Sequence, residues 1–259
     1  MFSHQLEWLA SAIPNLALRA GLRGVEKETL RVDARSRLAQ TPHPRGCGSP
    51  LTHPHITTDY SEALLELVTP PVAGNWQTLQ QLFDIHAFVH RQIGDERLWP
   101  MSMPCEIDGD DDIPIARYGS SNEGMFRTIY RRGLGHRYGR SMQAIAGVHF
   151  NYSPPEAFWA AWQDRREDTA AATVFRSEAL MGLVRNYYRN AWLVVYLFGA
   201  SPALSRSFLP QGSELLEPLD AETWFAPYAT SLLMSDIGYK NKTQARANIS
   251  ANSLEQYVQ

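Results

Sequence analysis

The sequence is poor in cysteine and has no apolar run long enough to cross a membrane. Cys47 and Cys105 are its two cysteines in 259 residues, too few for a disulfide framework and without metal-ligand spacing. We expect two reduced thiols, as in cytosolic proteins. The most apolar segment, residues 191–203, is too short for a transmembrane helix, and residues 1–22 lack the basic start of a signal peptide. These absences predict a cytoplasmic protein.

A strong charge of either sign is also missing. The formal net charge is −3 and the isoelectric point is about 6.2, which disfavours nucleic acid and anionic membranes as partners. The hydrophobic content of 44%, with 17 glycines and 16 prolines, is typical of a globular protein with one large domain or two small ones. No internal repeat, low-complexity tract or obvious linker divides the chain.

Three common nucleotide-binding and catalytic motifs are absent. No segment matches the Walker A pattern G-x-x-x-x-G-K-[ST]. Gly133, Gly135 and Gly139 are mis-spaced for a dinucleotide-binding turn and do not follow a predicted strand. No G-x-S-x-G segment marks a nucleophilic serine. A nucleotide, if one is bound, must therefore be held by other means.

Two glutamates stand on a predicted strand near the start of the chain. Residues 24–32 combine valine, threonine and leucine with a preceding glycine turn, which predicts a β-strand. Alternate side chains of a strand share a face, so Glu26 and Glu28 lie side by side, roughly 6–7 Å apart. At an effective dielectric constant of about 20, the two carboxylates repel by roughly 2–3 kcal/mol. A solvated strand face, a shared proton and cations held between them are three open interpretations.

The segment from His55 to Thr69 is ambiguous between strand and helix. As a strand it places Glu62 and Glu66 on one face, and as a helix it groups Asp59, Glu62 and Glu66. Its threonines and its Leu-Val-Thr end favour the strand.

Periodic apolar residues predict three helices. The first is short and ends at Pro14, Asn75 caps the second, and residues 173–198 form the longest, which ends at Gly199. The acidic run at residues 108–112 is interpreted as a solvated loop. The expected buried stripes are Leu79, Leu82, Phe83, His86, Val89, His90 and Ile93 on the second helix, and Val174, Leu180, Leu183, Val184, Tyr187, Tyr188, Ala191, Trp192 and Val195 on the third.

A second predicted strand and a run of arginines complete the candidate chemistry. Residues 146–153 alternate cleanly, which places His149 and Asn151 on one face. The arginine run of residues 119–142 either binds a phosphate or carboxylate or forms one solvated helix face. In a chain of negative net charge, a small anion is a better partner for it than nucleic acid. Carboxylates with one imidazole suit Mg²⁺ or Mn²⁺. The strand-borne candidates are Glu26, Glu28, Asp59, Glu62, Glu66 and His149.

Six segments, in order, carry a resemblance to a known family. They are GLRGVEKETLRV, ITTDYSEALLELVTP, GDERLWPMSMP, GVHFNYS, NYYRNAWLVVYLFGASPA and PYATSLLMSDIGYKN, within residues 21–241. In sequence and spacing they resemble the proteobacterial glutamate–cysteine ligases. The resemblance implies an α+β fold like that of glutamine synthetase, a curved antiparallel sheet with helices packed outside. It also implies a single catalytic-type domain over residues 1–259, corresponding to the N-terminal portion of a longer enzyme.

The reaction that the resemblance implies is the first step of glutathione synthesis. ATP phosphorylates the γ-carboxylate of L-glutamate, and the amine of L-cysteine displaces the phosphate. The implied metal ligands, for Mg²⁺ or Mn²⁺, are Glu26, Glu28, Asp59, Glu66 and His149. The residues implied around the cysteine substrate are Tyr130, Arg131, Gln143 and Tyr239, with Arg131 as the catalytic one.

The sequence departs from the family pattern in two ways. The family chain is about twice as long, and its second half supplies a further acid, an arginine and part of the sheet. In addition, Leu233 stands where the family usually has arginine. Two alternatives therefore stay open: a catalytically silent half that at most binds metal, nucleotide or amino acid, and a related carboxylate–amine ligase with another acceptor. No oligomeric state is predicted.

Overall fold

A computed structural model describes residues 2–11, 19–232, 234–235, 237 and 250–258. These residues form an antiparallel five-stranded sheet, a small three-stranded sheet and six α-helices. The strands are β1 (Leu22–Val32), β2 (Ile56–Thr58), β3 (Leu64–Val68), β4 (Arg97–Leu98), β5 (Val148–Ser153), β6 (Ala203–Ser205), β7 (Glu217–Pro218) and β8 (Thr223–Phe225). The helices are α1 (Phe2–Ser11), α2 (Asn75–His90), α3 (Asn122–Tyr138), α4 (Glu156–Arg165), α5 (Ala172–Phe198) and α6 (Leu254–Val258).

Strand β1 is the centre of the large sheet. One of its edges pairs with β3, which continues to β2, and its other edge pairs with β5 along its first half and with β4 at its end. All of these pairings are antiparallel. The predicted α+β class with an antiparallel sheet is therefore confirmed.

The two faces of β1 have different neighbours. On one face Glu26 and Glu28 give way to Leu30 and Val32, which are buried in the larger apolar core. On the other face of the sheet, Leu65 and Leu67 of β3 pack with Val89 of α2 in a second core. The acidic half of the first face therefore borders directly on a packed core, which limits its access to water.

Buried Arg31 fastens the end of β1 to the neighbouring loops. Its side chain is 1% exposed and donates to the Glu96 carboxylate, to the Thr41 hydroxyl and carbonyl, and to the Glu62 carbonyl 2.9 Å away. A buried guanidinium needs such partners, and here both Nη atoms have them while the buried Nε has none among the described residues. The arrangement fixes the chain on both sides of the β2–β3 hairpin.

The segment from His55 to Thr69 is β-structure, as predicted, but it forms a hairpin of two strands instead of one continuous strand. Residues 59–63 make the connection, and Glu62 lies there instead of on the face of Glu66. Its two carboxylate oxygens each accept a backbone N–H, from His43 and from Arg117, both at 2.7 Å. Glu62 is therefore a structural acid.

The predicted helices are present, although Pro14, the expected end of the first, lies outside the described residues. The predicted cap of α2 is wrong, and its buried stripe is only partly correct. Gly74 is the N-cap of α2 and Asn75 its first residue. The side that packs on the sheet carries Thr78, Leu82, Ile85 and Val89. Leu79 and Phe83, expected inside, are 51% and 67% exposed. The sheet contacts a narrower arc of the helix than the apolar pattern suggests.

The long helix α5 is also less covered than its sequence indicates. It begins at Ala172 and ends at Phe198 before Gly199, as expected. Its buried residues are Phe175 and Met181, however, and four residues expected inside are more than half exposed. Within the described part of the chain it packs mainly against α4 and α6. The four exposed residues are Leu183, Tyr187, Tyr188 and Trp192.

Two further sequence interpretations can be compared with the structure. Cys47 and Cys105 are free, buried thiols, as expected. The acidic run is not simply solvated, because Asp110 accepts hydrogen bonds from the backbone N–H groups of Arg140 and Ser141 at 2.9 Å each. None of the described helices combines the length and apolarity needed to cross a membrane.

Candidate active site

Strand register brings the predicted acids and the histidine onto one face of the sheet. Glu28 of β1 lies directly opposite Glu66 of β3, and Glu26 lies directly opposite His149 of β5. Side chains of residues paired across an antiparallel ladder share a face and lie about 4.5–5.5 Å apart at Cβ. Glu26, Glu28, Glu66 and His149 therefore form one patch, which spans three strands.

Strand β5 holds the Glu26 carboxylate at both oxygens. Nδ1 of His149 lies 3.0 Å from one oxygen, and the Asn151 amide donates to the other at 3.0 Å. With Nδ1 turned to Glu26, the Nε2 atom of His149 faces away and is free to act as a ligand. Burial opposes protonation of this imidazole, but the hydrogen bond to Glu26 and the charges of Glu28, Glu26 and Glu66 together raise the pKa of His149.

Glu28 and Glu66 are the more buried acids of the patch. Burial first, and then the charge of Asp59, raise the pKa of Glu28 to about 7, although the backbone N–H of Gly147 donates to it at 2.6 Å. Burial and the charges of Asp59 and Glu26 also raise the pKa of Glu66. Carboxylates that repel one another in a low-dielectric setting have a raised pKa because the charged form lacks a compensating cation.

Asp59 joins the patch from the end of β2. Burial raises its pKa, while the charge of Arg131 on α3 acts in the opposite direction. The Arg131 Nε donates to the Asp59 carbonyl. The hydroxyl of Tyr118 lies 2.6 Å from the Thr58 carbonyl oxygen and 3.0 Å from that of Asp59, so its proton is shared between them. Tyr118 and Arg131 together fix the backbone on which Asp59 stands.

Gly147 leaves open space beside two candidate metal ligands, Glu28 and His149. A Cβ added there would lie 3.5 Å from both the Glu28 Oε2 and the His149 Nε2 atoms. A carboxylate oxygen and an imidazole nitrogen thus border one small gap at the start of β5. Any larger side chain at this position would extend between them.

The set of candidate ligands fits a hard divalent cation in its chemistry. Oxygen ligands with one imidazole suit Mg²⁺ or Mn²⁺. Glu28, Asp59 and Glu66 have raised pKa values, which a bound cation would lower. In the described part of the chain, no three His, Cys, Asp or Glu side chains are close enough together to form a finished metal site. The carboxylates surround a shared region without converging on one point.

Comparison with known proteins decides the family. The family model described as glutamate-cysteine ligase matches residues 6–259. The chain belongs to the glutamate–cysteine ligase family. It is 53% identical to a glutamate–cysteine ligase of Alcanivorax borkumensis over 244 residues, which are 93% of this chain and 46% of that protein. It is 49% identical to the one of Pseudomonas putida over 258 residues, 100% of this chain and 49% of that protein.

Solved structures agree with the family assignment. The crystal structure of glutamate–cysteine ligase from Francisella tularensis in complex with AMP has a TM-score of 0.85 and 37% identity, and the match covers 92% of this chain and 46% of that one. A bifunctional glutathione synthetase from Pasteurella multocida has a TM-score of 0.78 and 29% identity, over 99% of this chain and 31% of that one. The chain spans about half the length of the curated ligases it matches.

The residues that the family resemblance placed around cysteine are only partly assembled. Arg131 lies beside the acids, through its contact with Asp59. Tyr130, next to it on α3, is 56% exposed. Gln143 is 8% exposed, and its Nε2 atom is buried without a hydrogen-bond partner among the described residues. Tyr239 and Leu233 lie outside the described residues.

Sequence reasoning missed three residues that shape this site. Asn151 was placed on the correct face but given no role, although it donates to Glu26. Tyr118 and Gly147 were not considered. Asn151 is polar and lies two positions from His149 on the same strand, a pattern that could have indicated its contact with Glu26. Nothing in the local sequence indicates that Tyr118 reaches a strand 60 residues away.

Proposed function

We propose that this chain supplies the metal-binding and phosphate-facing part of an ATP-dependent ligase. The reaction joins the γ-carboxylate of L-glutamate to the amine of L-cysteine through γ-glutamyl phosphate, the first step of glutathione biosynthesis. The single observation that carries the proposal is the acidic patch, meaning Glu26, Glu28, Asp59, Glu66 and His149 on one face of the sheet, in a chain of this family. We place the protein in the cytoplasm.

The chain's own residues account for the binding of charge. Glu26, Glu28, Asp59 and Glu66, with His149 Nε2, would hold Mg²⁺ or Mn²⁺. Such a metal supplies charge neutralisation for the phosphates and the γ-carboxylate during in-line transfer. The oxygens of Glu26 are held by His149 and Asn151, so this carboxylate is oriented in advance.

Arg131 is a described cation whose charge acts on two acids of the patch, Asp59 and Glu66. Its guanidinium is fixed through Asp59 and the Tyr118 ring, which suits it to bind a carboxylate or phosphoryl oxygen of a substrate. Tyr130, Gln143 and Tyr239 complete the proposed cysteine site. The AMP complex of the Francisella tularensis enzyme supports use of a nucleotide by the same fold.

Binding of Mn²⁺ tests this proposal directly. In electron paramagnetic resonance titrations the purified protein is expected to bind Mn²⁺, and Glu28→Gln is expected to weaken the binding at least about tenfold, because one charged ligand is lost while shape is kept. Glu123→Gln is the matched control, since Glu123 is an exposed acid paired only with Arg127 on α3. Equal affinity in the wild type and in Glu28→Gln would refute the metal assignment.

A second candidate is a catalytically silent protein that binds ligands without turnover. The exposed apolar residues of α5 and β5 favour it, because an active site enclosed by other elements would need these surfaces covered. Mass detection of the dipeptide with ATP, glutamate and Mg²⁺ separates the candidates. Product with cysteine supports the ligase, product only with other amines supports a related ligase, and Mn²⁺ binding without product supports the silent protein.

A further inference from the structure

Helix α3 divides the arginine run between two sides of the molecule. Arg131 turns towards Asp59 and the acidic patch. Arg132 follows it, and successive residues of an α-helix project about 100° apart. Arg132 therefore points elsewhere, into a depression that it shares with Arg140. The proposed ligase site does not use this second group of arginines.

Two adjoining cavities make up that depression. One has a volume of about 310 Å³ and lies against the end of α3, and the other, of about 570 Å³, extends towards Arg117 and Gln40. Ile115, Arg132 and Arg140 line both, so the cavities meet. We call the combined space the arginine cleft, defined by Arg117, Arg132 and Arg140. Its parts have the size of small-molecule sites.

The guanidinium groups of the arginine cleft have unused donors. The side chains of Arg117 and Arg132 make no hydrogen bond or ion pair with any described residue. Arg140 makes one long hydrogen bond, 3.5 Å from its Nη1 to the Ile113 carbonyl, and lies 3.9 Å from the fully exposed Asp111 carboxylate. Most of the N–H groups of three planar, permanently charged donors therefore remain available.

Two of the three acids that line the cleft already accept hydrogen bonds from the backbone. Asp110 accepts from the N–H groups of Arg140 and Ser141 and from the Ser141 hydroxyl. Glu62 accepts from the N–H groups of His43 and Arg117. Because these carboxylates are satisfied, they do not compete strongly for the guanidinium donors. The third, Asp111, is fully exposed and 3.9 Å from Arg140, so it is the acid of the cleft whose oxygens stay free.

We propose that the arginine cleft binds a small, multiply charged oxyanion, with phosphate or carboxylate groups that pair with Arg132 and Arg140. Guanidinium forks bind both groups through paired N–H···O bonds. The cleft lies on a different side of α3 from the acidic patch, so this ligand is separate from the proposed metal-held nucleotide. The lining combines the uncharged Ile115, Pro114 and Gly135 with the acids Asp110, Asp111 and Glu62, so an anion has to pair directly with the guanidinium groups.

Calorimetric titration with two probes tests the cleft. Pyrophosphate and citrate are added separately to the purified protein in EDTA, so that no divalent metal carries phosphate to the acidic patch. Either probe is expected to bind, and the one that binds more tightly shows whether phosphate or carboxylate is the preferred group. Arg132→Gln is expected to weaken the binding at least about tenfold, since a hydrogen bond to a charged group is lost.

Arg137→Gln is the matched control. Arg137 is an exposed arginine of the same helix that lines neither cavity, so its loss removes the same charge without touching the cleft. Arg132 is exposed and makes no contact that the fold requires, and circular dichroism confirms that both variants are folded. Binding of neither probe, or an equal loss of affinity in the two variants, would overturn the proposal.

Discussion

The Arg131 guanidinium lies over the ring of Tyr118, with 4.6 Å between its Cζ and the ring centroid. Both residues also bond to the backbone at the end of β2, Arg131 at the Asp59 carbonyl and Tyr118 at the carbonyls of Thr58 and Asp59. A cation over an aromatic face is stabilised by the ring quadrupole. The pair therefore connects helix α3 to the strand that carries an acid of the candidate site.

Removing the Tyr118 hydroxyl is expected to loosen this connection. In Tyr118→Phe the ring still supports Arg131, but a buried donor to two carbonyls is lost, which we expect to cost about 1–3 kcal/mol of unfolding free energy. Mn²⁺ affinity is expected to fall as Asp59 becomes less fixed. Urea unfolding and paramagnetic resonance measure the two effects. Tyr187→Phe, at an exposed ring of α5, is the control, and equal behaviour of the two variants contradicts the connection.

Neutralising one acid of the patch is expected to stabilise the metal-free protein. Glu66 faces Glu28, whose pKa is raised to about 7 by burial and by Asp59. At pH 8 Glu28 is mostly charged, so removing the charge opposite it in Glu66→Gln should gain about 1 kcal/mol, or roughly 2 °C in Tm, in EDTA. Below pH 7 Glu28 takes up a proton, so the gain should be smaller at pH 5.

Thermal unfolding at the two pH values checks this expectation, with Glu123→Gln as the exposed control acid. A gain in the control as large as that in Glu66→Gln would show that the patch is not specially strained by charge. A lower Tm of Glu66→Gln at pH 8 would show that the carboxylate has a partner that the structure does not reveal.

Acid sensitivity of the fold is expected to depend on His43. Burial, together with the charge of Arg31, lowers its pKa to about 4 from the ordinary 6.5, and neither ring nitrogen has a hydrogen-bond partner among the described residues. The unfolded chain therefore binds a proton at a higher pH than the folded chain. This contribution to stability is complete above pH 6.5 and is lost as the pH falls towards 4.

The measurement compares urea midpoints at pH 7 and pH 5 in the wild type and in His43→Leu. The variant keeps an apolar side chain of similar size and is expected to lose less stability over this interval. His4→Gln, at an imidazole that is 82% exposed, should behave as the wild type. If His43→Leu loses as much stability as the wild type, His43 is not the group that titrates.

Exposed apolar surface leads to a prediction about the 259-residue polypeptide itself. Val148 and Phe150 of β5 are 63% and 67% exposed on the face opposite the acidic patch, and Trp192 of α5 is 65% exposed. Such surfaces promote association. We expect the isolated polypeptide to self-associate in sedimentation runs and to form no γ-glutamylcysteine. Phe150→Ser should reduce the association. Dipeptide formed near the usual enzyme rate of about 10 per second would contradict the prediction.

Local patterns in the sequence determined the elements that carry the chemistry. Alternation within a strand is a local property, so the shared face of Glu26 and Glu28 and the orientation of His149 followed from residue order alone. The long helix ending at Gly199 followed from the same kind of local signal. The family, too, was recognisable from six short segments, because residues fixed by a common chemistry keep their order and spacing.

Tertiary structure alone decided which of these elements meet and which faces are covered. Glu26 meets His149 across 123 residues because β5 pairs with β1, and no local pattern states that pairing. The division of the arginine run between Asp59 and the arginine cleft depends on where α3 docks. Apolar periodicity likewise indicates which side of α5 is hydrophobic, but burial requires a neighbouring element. Only the packed structure shows that Trp192 stays 65% exposed.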